Sequence, residues 1–279
     1  MKEFFLKYIS FFLLLFISTS LLSQPREFEY QNDITYCQIG KEPWTKDEYR
    51  EALEEFEKFN RGRPLAFNTH GMKSPHMFYC WFVVKKLKPK YIIESGVCEG
   101  QSTWLFEHAA PDAKIISIDP DLEMRRYISP KVTYLTTDFS EVNWDQYIDD
   151  RSSTLCFFDD HQGSFRLEQC FALGFKHVLY EDNYPVKGGN YHPESLSVKA
   201  ALYHEDLSKK LKEIIELYNE FPPIYPNLTQ RRFNYQKWSN YSKRPLFTNL
   251  DHPDLQIFVQ EAPYYTWLAY IKLKDFPNA

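Results

Sequence analysis

Lys90-Tyr91-Ile92-Ile93-Glu94-Ser95-Gly96-Val97-Cys98-Glu99-Gly100-Gln101-Ser102-Thr103 decides the fold. A short apolar run with β-branched residues ends in an acid, passes two glycines and enters Trp104-Leu105-Phe106. A buried parallel strand reads this way when it turns tightly into a helix. Gly96 and Gly100 let the turn take positive φ and let a ligand approach the backbone with no Cβ in the way. The N–H groups of the first helical turn then face whatever sits there. Cys98 stands where the second glycine of a G-x-G-x-x-G would be, which disfavours a dinucleotide site.

Outward from this stretch, Lys114-Ile115-Ile116-Ser117-Ile118-Asp119 is a second apolar strand ending in an acid, one βαβ step on. A carboxylate at that tip is placed to accept from two ribose hydroxyls, so the pair of strands predicts an adenosine-type ligand. Val132 to Asp138, Ser153 to His161 and Lys176 to Asn183 read as three further strands, with a helix over Phe165 to Leu173. Upstream, Thr45-Lys46-Asp47-Glu48 is a capping-box pattern opening a helix to about Phe59, and Ser74-Pro75 opens a largely apolar one to Leu87. Downstream, His204 to Tyr218 reads as an amphipathic helix, and Leu255 to Val259 with Tyr265 to Leu273 as a strand pair at the sheet edge. Alternating strands and helices predict an α/β fold: a doubly wound, mostly parallel Rossmann-like sheet with an antiparallel edge strand and an N-terminal helical extension. Its ligands gather at the carboxyl ends of the strands.

The 279 residues suit one such domain, and the net charge of −5 without a basic stripe argues against nucleic acid as a partner. Lys2 and Lys7 precede an apolar run from Tyr8 to Leu22 with small serines near its end. That is a signal peptide or a signal anchor over residues 1–23, and either sends the domain out of the cytosol. Membrane contact is then expected only through this segment. Residues 24–75 read as linker and helical extension, and 76–279 as the main domain. Five cysteines without C-x-x-C spacing give no zinc signature. Asn227-Leu228-Thr229 and Asn240-Tyr241-Ser242 are glycosylation triplets.

A second constellation carries the chemistry. Asp159, Asp160 and His161 end one strand, and Glu181, Asp182 and Asn183 end the next. Adjacent parallel strands lie ~4.8 Å apart, so these side chains can converge beside the glycine turn. Carboxylates with an amide oxygen form a hard ligand set suited to Mg²⁺ or another divalent cation. Such an ion would clamp a substrate hydroxyl and lower its pKa, with His161 in reach as a base.

The order acid–x–Gly–x–x–x–Gly–x–Ser, acid after strand two, Asp-His after strand four and Asp-Asn after strand five resembles the class I S-adenosylmethionine-dependent O-methyltransferases. The metal-dependent catechol and caffeoyl-CoA type is the most similar in its Asp-His and Asp-Asn pairs. Gly71-Met72-Lys73-Ser74-Pro75 and Leu87-Lys88-Pro89-Lys90 are similar to the cephalosporin hydroxylase and rhamnosyl O-methyltransferase group. The resemblance runs from about Gly71 to Asn183. It implies that Glu94 and Gly96 contact the methionine part of S-adenosylmethionine, that Ser102 lies near its carboxylate, that Asp119 holds the ribose and that Asp138 approaches the adenine. It also implies that Asp160, Asp182 and Asn183 ligate Mg²⁺, with Asp159 or Glu181 as substitutes if the register slips by one. The chain departs from the catechol type in having Gln162-Gly163 where that type has a catalytic lysine, which leaves His161 or Lys187 as the base. The expected activity is O-methylation of a small-molecule or glycan hydroxyl. The alternative is a non-catalytic exported module of the same fold that binds a glycan or a protein.

Overall fold

The computed structural model describes residues 38–65, 68, 70–185, 196–226, 242–247 and 255–276. The leader, Lys187, the aromatic stretch beyond Pro226 and the asparagines of both glycosylation triplets lie outside the described residues. The described chain forms a seven-stranded sheet of order β3-β2-β1-β4-β5-β7-β6. Its strands are β1 (Tyr91–Ser95), β2 (Lys114–Ile118), β3 (Thr133–Leu135), β4 (Thr154–Phe158), β5 (His177–Tyr180), β6 (Ile215–Glu220) and β7 (Ala269–Leu273). The pairs β1·β2, β1·β4, β2·β3 and β4·β5 are parallel, and β7 runs antiparallel between β5 and β6.

Strand order reverses between β1 and β4, and the crevice of a doubly wound sheet opens at that reversal, at the carboxyl ends. The central strands bury both faces, as parallel strands covered by helices must. In β1 and β4, Ile92, Leu155 and Phe157 join the core on one face, and Ile93, Cys156 and Phe158 the core on the other. Side chains alternating across a strand produce this division.

Helix α1 (Lys46–Asn60) begins at the expected capping box: the Glu48 N–H donates to Thr45 Oγ1, and the Thr45 N–H to the Glu48 carboxylate at 2.8 Å. Its Phe56 packs against Phe78 and Trp81 of α2 (Ser74–Leu87). The cap of α2 differs from expectation. Lys73 holds the cap position and the Ser74 N–H donates to the Glu261 carboxylate at 2.6 Å, so a partner far along the chain replaces the local hydroxyl. Helices α3 (Gln101–Ala109) and α4 (Phe165–Ala172) follow β1 and β4.

Two expectations near the C-terminus are corrected. The helix expected from His204 to Tyr218 stops at Ile214 as α6 (Glu205–Ile214), preceded by a short α5 (Val198–Leu202), and residues 215–220 form β6. β-branched Ile214-Ile215 weakens the helix there, and pairing with β7 wins. Leu255 to Val259 belongs to α7 (Gln256–Glu261), where Phe258 packs on Phe56 and Phe78, because β6 already occupies the outer edge of β7. Among the described residues no helix is long and apolar enough to cross a membrane.

Candidate active site

The turn after β1 alternates left-handed residues: Gly96 at φ 97°, Cys98 at 48° and Gly100 at 88°. Cys98 thus adopts the backbone a glycine would supply. The close approaches at the glycines are made by the chain itself. A Cβ on Gly96 would stand 2.2 Å from the Asp159 carbonyl oxygen, and one on Gly100 2.6 Å from that of Tyr127. Gly96 therefore seats the end of β4 beside the end of β1, which is a packing role where sequence suggested room for a ligand.

Asp119 braces this turn. Its Oδ2 accepts from the Val97 and Cys98 N–H groups at 2.8 and 3.0 Å, and its Oδ1 from the Asp121 N–H. Glu94 lies fully buried below the turn, where Thr103 Oγ1 and Ser117 Oγ donate to its Oε2 at 2.7 and 2.5 Å. Among the described residues its Oε1 has no hydrogen-bond partner. Burial pushes the Glu94 carboxyl up to about 7 against the hydroxyls of Ser102, Ser117 and Thr103. Helix α3 starts at Gly100, which has no side chain to cap its first N–H groups.

The strand-end acids do not act as one set. Asp160 accepts from Ser95 Oγ at 2.8 Å, from Arg166 Nε at 3.0 Å and from the Gln162 N–H. Buried Arg166 also holds Asp138 through Nη2 at 2.7 Å and Nη1 at 3.1 Å, and this keeps the Asp138 carboxyl far below its usual range despite some burial. Asp138, expected near an adenine, and Asp160, expected on a metal, are thus both taken up by Arg166. Asn183, also expected on the metal, is fully buried; its Nδ2 donates to Tyr218 Oη and its Oδ1 accepts from the Lys199 N–H, both at 2.7 Å.

Glu181 is fixed as well. His76 Nδ1 lies 2.7 Å from Glu181 Oε1, Thr266 Oγ1 donates to the same oxygen, and the Thr266 N–H donates to His76 Nε2 at 2.9 Å. An Nε2 that accepts from an amide leaves Nδ1 to carry the imidazole proton toward Glu181. Burial works against the Glu181 charge, but His76 and Thr266 hold its carboxyl down to about 2. Sequence reading missed His76, Thr266 and Arg166. A histidine inside the apolar run of α2 and an arginine six residues after Asp160 were their only local signals.

Asp159, His161 and Asp182 do converge, with one ligand-type atom of each within 4.8 Å of the others. His161 Nδ1 is 2.9 Å from Asp182 Oδ2. Both residues are left-handed, at φ 55° and 47°, a conformation that a histidine and an aspartate tolerate better than most side chains. Burial and the neighbouring Glu181 push Asp182 up to about 6 against its bond to His161. Burial, Glu181 and Asp182 raise Asp159 strongly, and the bond to Asp182 raises His161. The three groups line a cavity of about 230 Å³ together with Met72, Tyr184, Tyr264, Tyr265 and Trp267. The polar ends of two of these rings turn away: Tyr265 Oη donates to the Phe221 carbonyl and Trp267 Nε1 to Ser242 Oγ. Those rings offer carbon to an occupant.

The fold is a doubly wound, Rossmann-like sheet. Solved structures matching it include CmcI with Mg and SAM, at 20% identity over 55% of this chain and 73% of that one, with a TM-score of 0.34. Another is the SAH-bound Podospora anserina methyltransferase PaMTH1, at 12% identity over 90% and 100% of the two chains, with a TM-score of 0.42. A third is the O-methyltransferase TomG from Streptomyces achromogenes in complex with SAM, at 13% identity over 61% and 80%, with a TM-score of 0.38. No protein-family model and no curated protein matches the chain.

Proposed function

We propose that this chain is an S-adenosylmethionine-dependent O-methyltransferase, assisted by a divalent cation, that acts on a hydroxylated small molecule or glycan outside the cytosol. One observation carries the reading. The glycine turn braced by Asp119 and the cavity floored by Asp159, His161 and Asp182 stand on neighbouring strand ends, joined by the Asp159 N–H bond to the Ser95 carbonyl at 2.8 Å. A donor on the first and an acceptor in the second would meet across the β1/β4 reversal.

The residues fit the cofactor. The uncapped N–H groups of α3 suit a carboxylate, and the lone Glu94 Oε1 suits a donor such as an ammonium or a water that bridges to one. Asp119 keeps acceptor capacity beyond its three backbone bonds for a ribose hydroxyl. S-adenosylmethionine would supply an electrophilic methyl group, and a divalent cation would acidify the acceptor hydroxyl. On the protein side, the aromatic wall orients the acceptor and excludes water. His161, aimed by Asp182, can take the acceptor proton at Nε2. Residues 1–23 complete the reading as an export segment, checked by N-terminal sequencing of secreted material.

Calorimetric titration of S-adenosylhomocysteine tests it. Micromolar binding is expected, weakened about tenfold by Asp119→Asn, the loss of a charged hydrogen bond. A folded chain that binds no S-adenosylhomocysteine, with or without a divalent ion, supports the non-catalytic module instead.

A further inference from the structure

Glu94 is shut inside the molecule with half of its carboxyl unused. Its side chain is fully buried at the end of β1, and Thr103 Oγ1 of α3 and Ser117 Oγ of β2 both donate to Oε2, at 2.7 and 2.5 Å. Among the described residues nothing bonds to Oε1. The titratable groups that face the carboxyl are Asp119 beyond β2, the Cys80 thiol of α2 and the Tyr134 phenol of β3, and none of them carries a positive charge. β4 sets Phe157 beside it. A carboxylate held this way is a buried charge without a cation, a state that costs far more than the neutral acid. Burial accordingly pushes the carboxyl up to about 7. With Oε2 taken by two donors, the proton of the neutral acid belongs on Oε1, where nothing receives it.

We propose that an amino acid moiety bound at the glycine turn expels the proton of Glu94, so that each S-adenosyl ligand taken up releases one proton and is held less tightly in acid. The inference rests on the methyltransferase reading for the identity of the ligand, and adds the proton that the ligand must displace. An ammonium has donors and no acceptor. It can bond to Oε1, directly or through one water, only after the carboxyl proton has left for solvent. Thr103, in the first turn of α3, already touches Glu94. A carboxylate drawn to the N–H groups of that turn therefore brings the ammonium on the same carbon up to Glu94. The positive charge then replaces the proton as the partner of the buried carboxylate and holds it ionised. Below pH 7 the ligand competes with a proton, whereas above it the carboxyl is already ionised and the linkage fades.

The test titrates the full chain with S-adenosylhomocysteine by calorimetry at pH 6 and pH 8, each in two buffers of different ionisation enthalpy. Binding should weaken about tenfold from pH 8 to pH 6, and at the lower pH the heats in the two buffers should differ by close to one proton per ligand. The deamino analogue of S-adenosylhomocysteine brings no ammonium, so its affinity should not fall in acid. Difference infrared spectra at pH 6 should show a carboxylic acid C=O band lost on binding, and the Glu94→Gln variant should lack that band. Glutamine keeps the size and shape of the acid, so the variant should fold, and its affinity should be the same at both pH values. Binding of S-adenosylhomocysteine with no proton release, the same linkage for the deamino analogue, or linkage that persists in Glu94→Gln would each overturn the inference and leave the methyltransferase reading standing. A folded chain that binds S-adenosylhomocysteine at neither pH sinks that reading, and this inference with it.

Discussion

Gly96 and Gly174 both sit at positive φ, 97° and 79°, yet a Cβ meets the Asp159 backbone at the first and nothing within 4 Å at the second. Gly174→Ala should therefore cost about 1 kcal/mol, the backbone penalty alone. Gly96→Ala should cost more than about 3 kcal/mol, because β1 and β4 would have to part. Urea midpoints of the two variants check this, and similar small losses would refute the packing role. Glu94 makes a second prediction. Its folded carboxyl sits near 7, above its unfolded value, so the folded state holds the proton longer and loses stability as pH rises from about 4.5 to 7. Glu94→Gln removes that loss. The variant should gain on wild type by about 2–3 kcal/mol between pH 5 and pH 8, read from urea midpoints at the two values. A pH-independent difference would show that Glu94 is not protonated in the fold.

Among the elements, α5, β6 and the end of β5 are joined by charge where an apolar contact is usual. Lys199 and Glu220 form an ion pair with both side chains fully buried, Tyr218 Oη donates to Glu220, and Asn183 links Tyr218 to the Lys199 backbone. Removing one charge strands the other. Lys199→Met should destabilise by about 3–5 kcal/mol, and Lys199→Met with Glu220→Met should recover most of it. A double-mutant cycle by thermal unfolding measures this coupling, and additive losses would argue that the pair is only incidental to packing. The same elements show where local reading ends. The Thr45–Glu48 cap was legible because its partners are three residues apart, whereas the first part of β6 was read as helix because its partner, β7, lies about fifty residues on.

Over the whole molecule, β7 ties the sheet together. It supplies the ladders to both β5 and β6, and the segment before it brings Thr266 to His76 and Glu181 at the cavity. Ending the chain before Tyr264 removes buried Trp267, Leu268, Tyr270 and Ile271 along with both ladders. Such a chain should lose cooperative thermal unfolding altogether, as followed by far- and near-UV circular dichroism. A truncated protein that still melts in one sharp transition would show that β1 to β5 fold independently.

The sequence by itself determined the doubly wound sheet and the glycine turn, with acids at its strand ends. These follow from short apolar runs, glycines and caps, whose physics is local. It also placed Glu94, Gly96, Gly100 and Asp119 at one turn. Only the tertiary structure decided which acids stay open to a ligand. Asp159 and Asp160 are neighbours of one type, yet Arg166 claims one and leaves the other facing the cavity. Likewise Glu181 is tied to His76 of α2, whereas Asp182 pairs with His161 at the cavity. Hydrogen-bond saturation is set by how side chains meet in space, with Arg166 close to Asp160 along the chain and His76 and Thr266 far from Glu181, and no spacing encodes it.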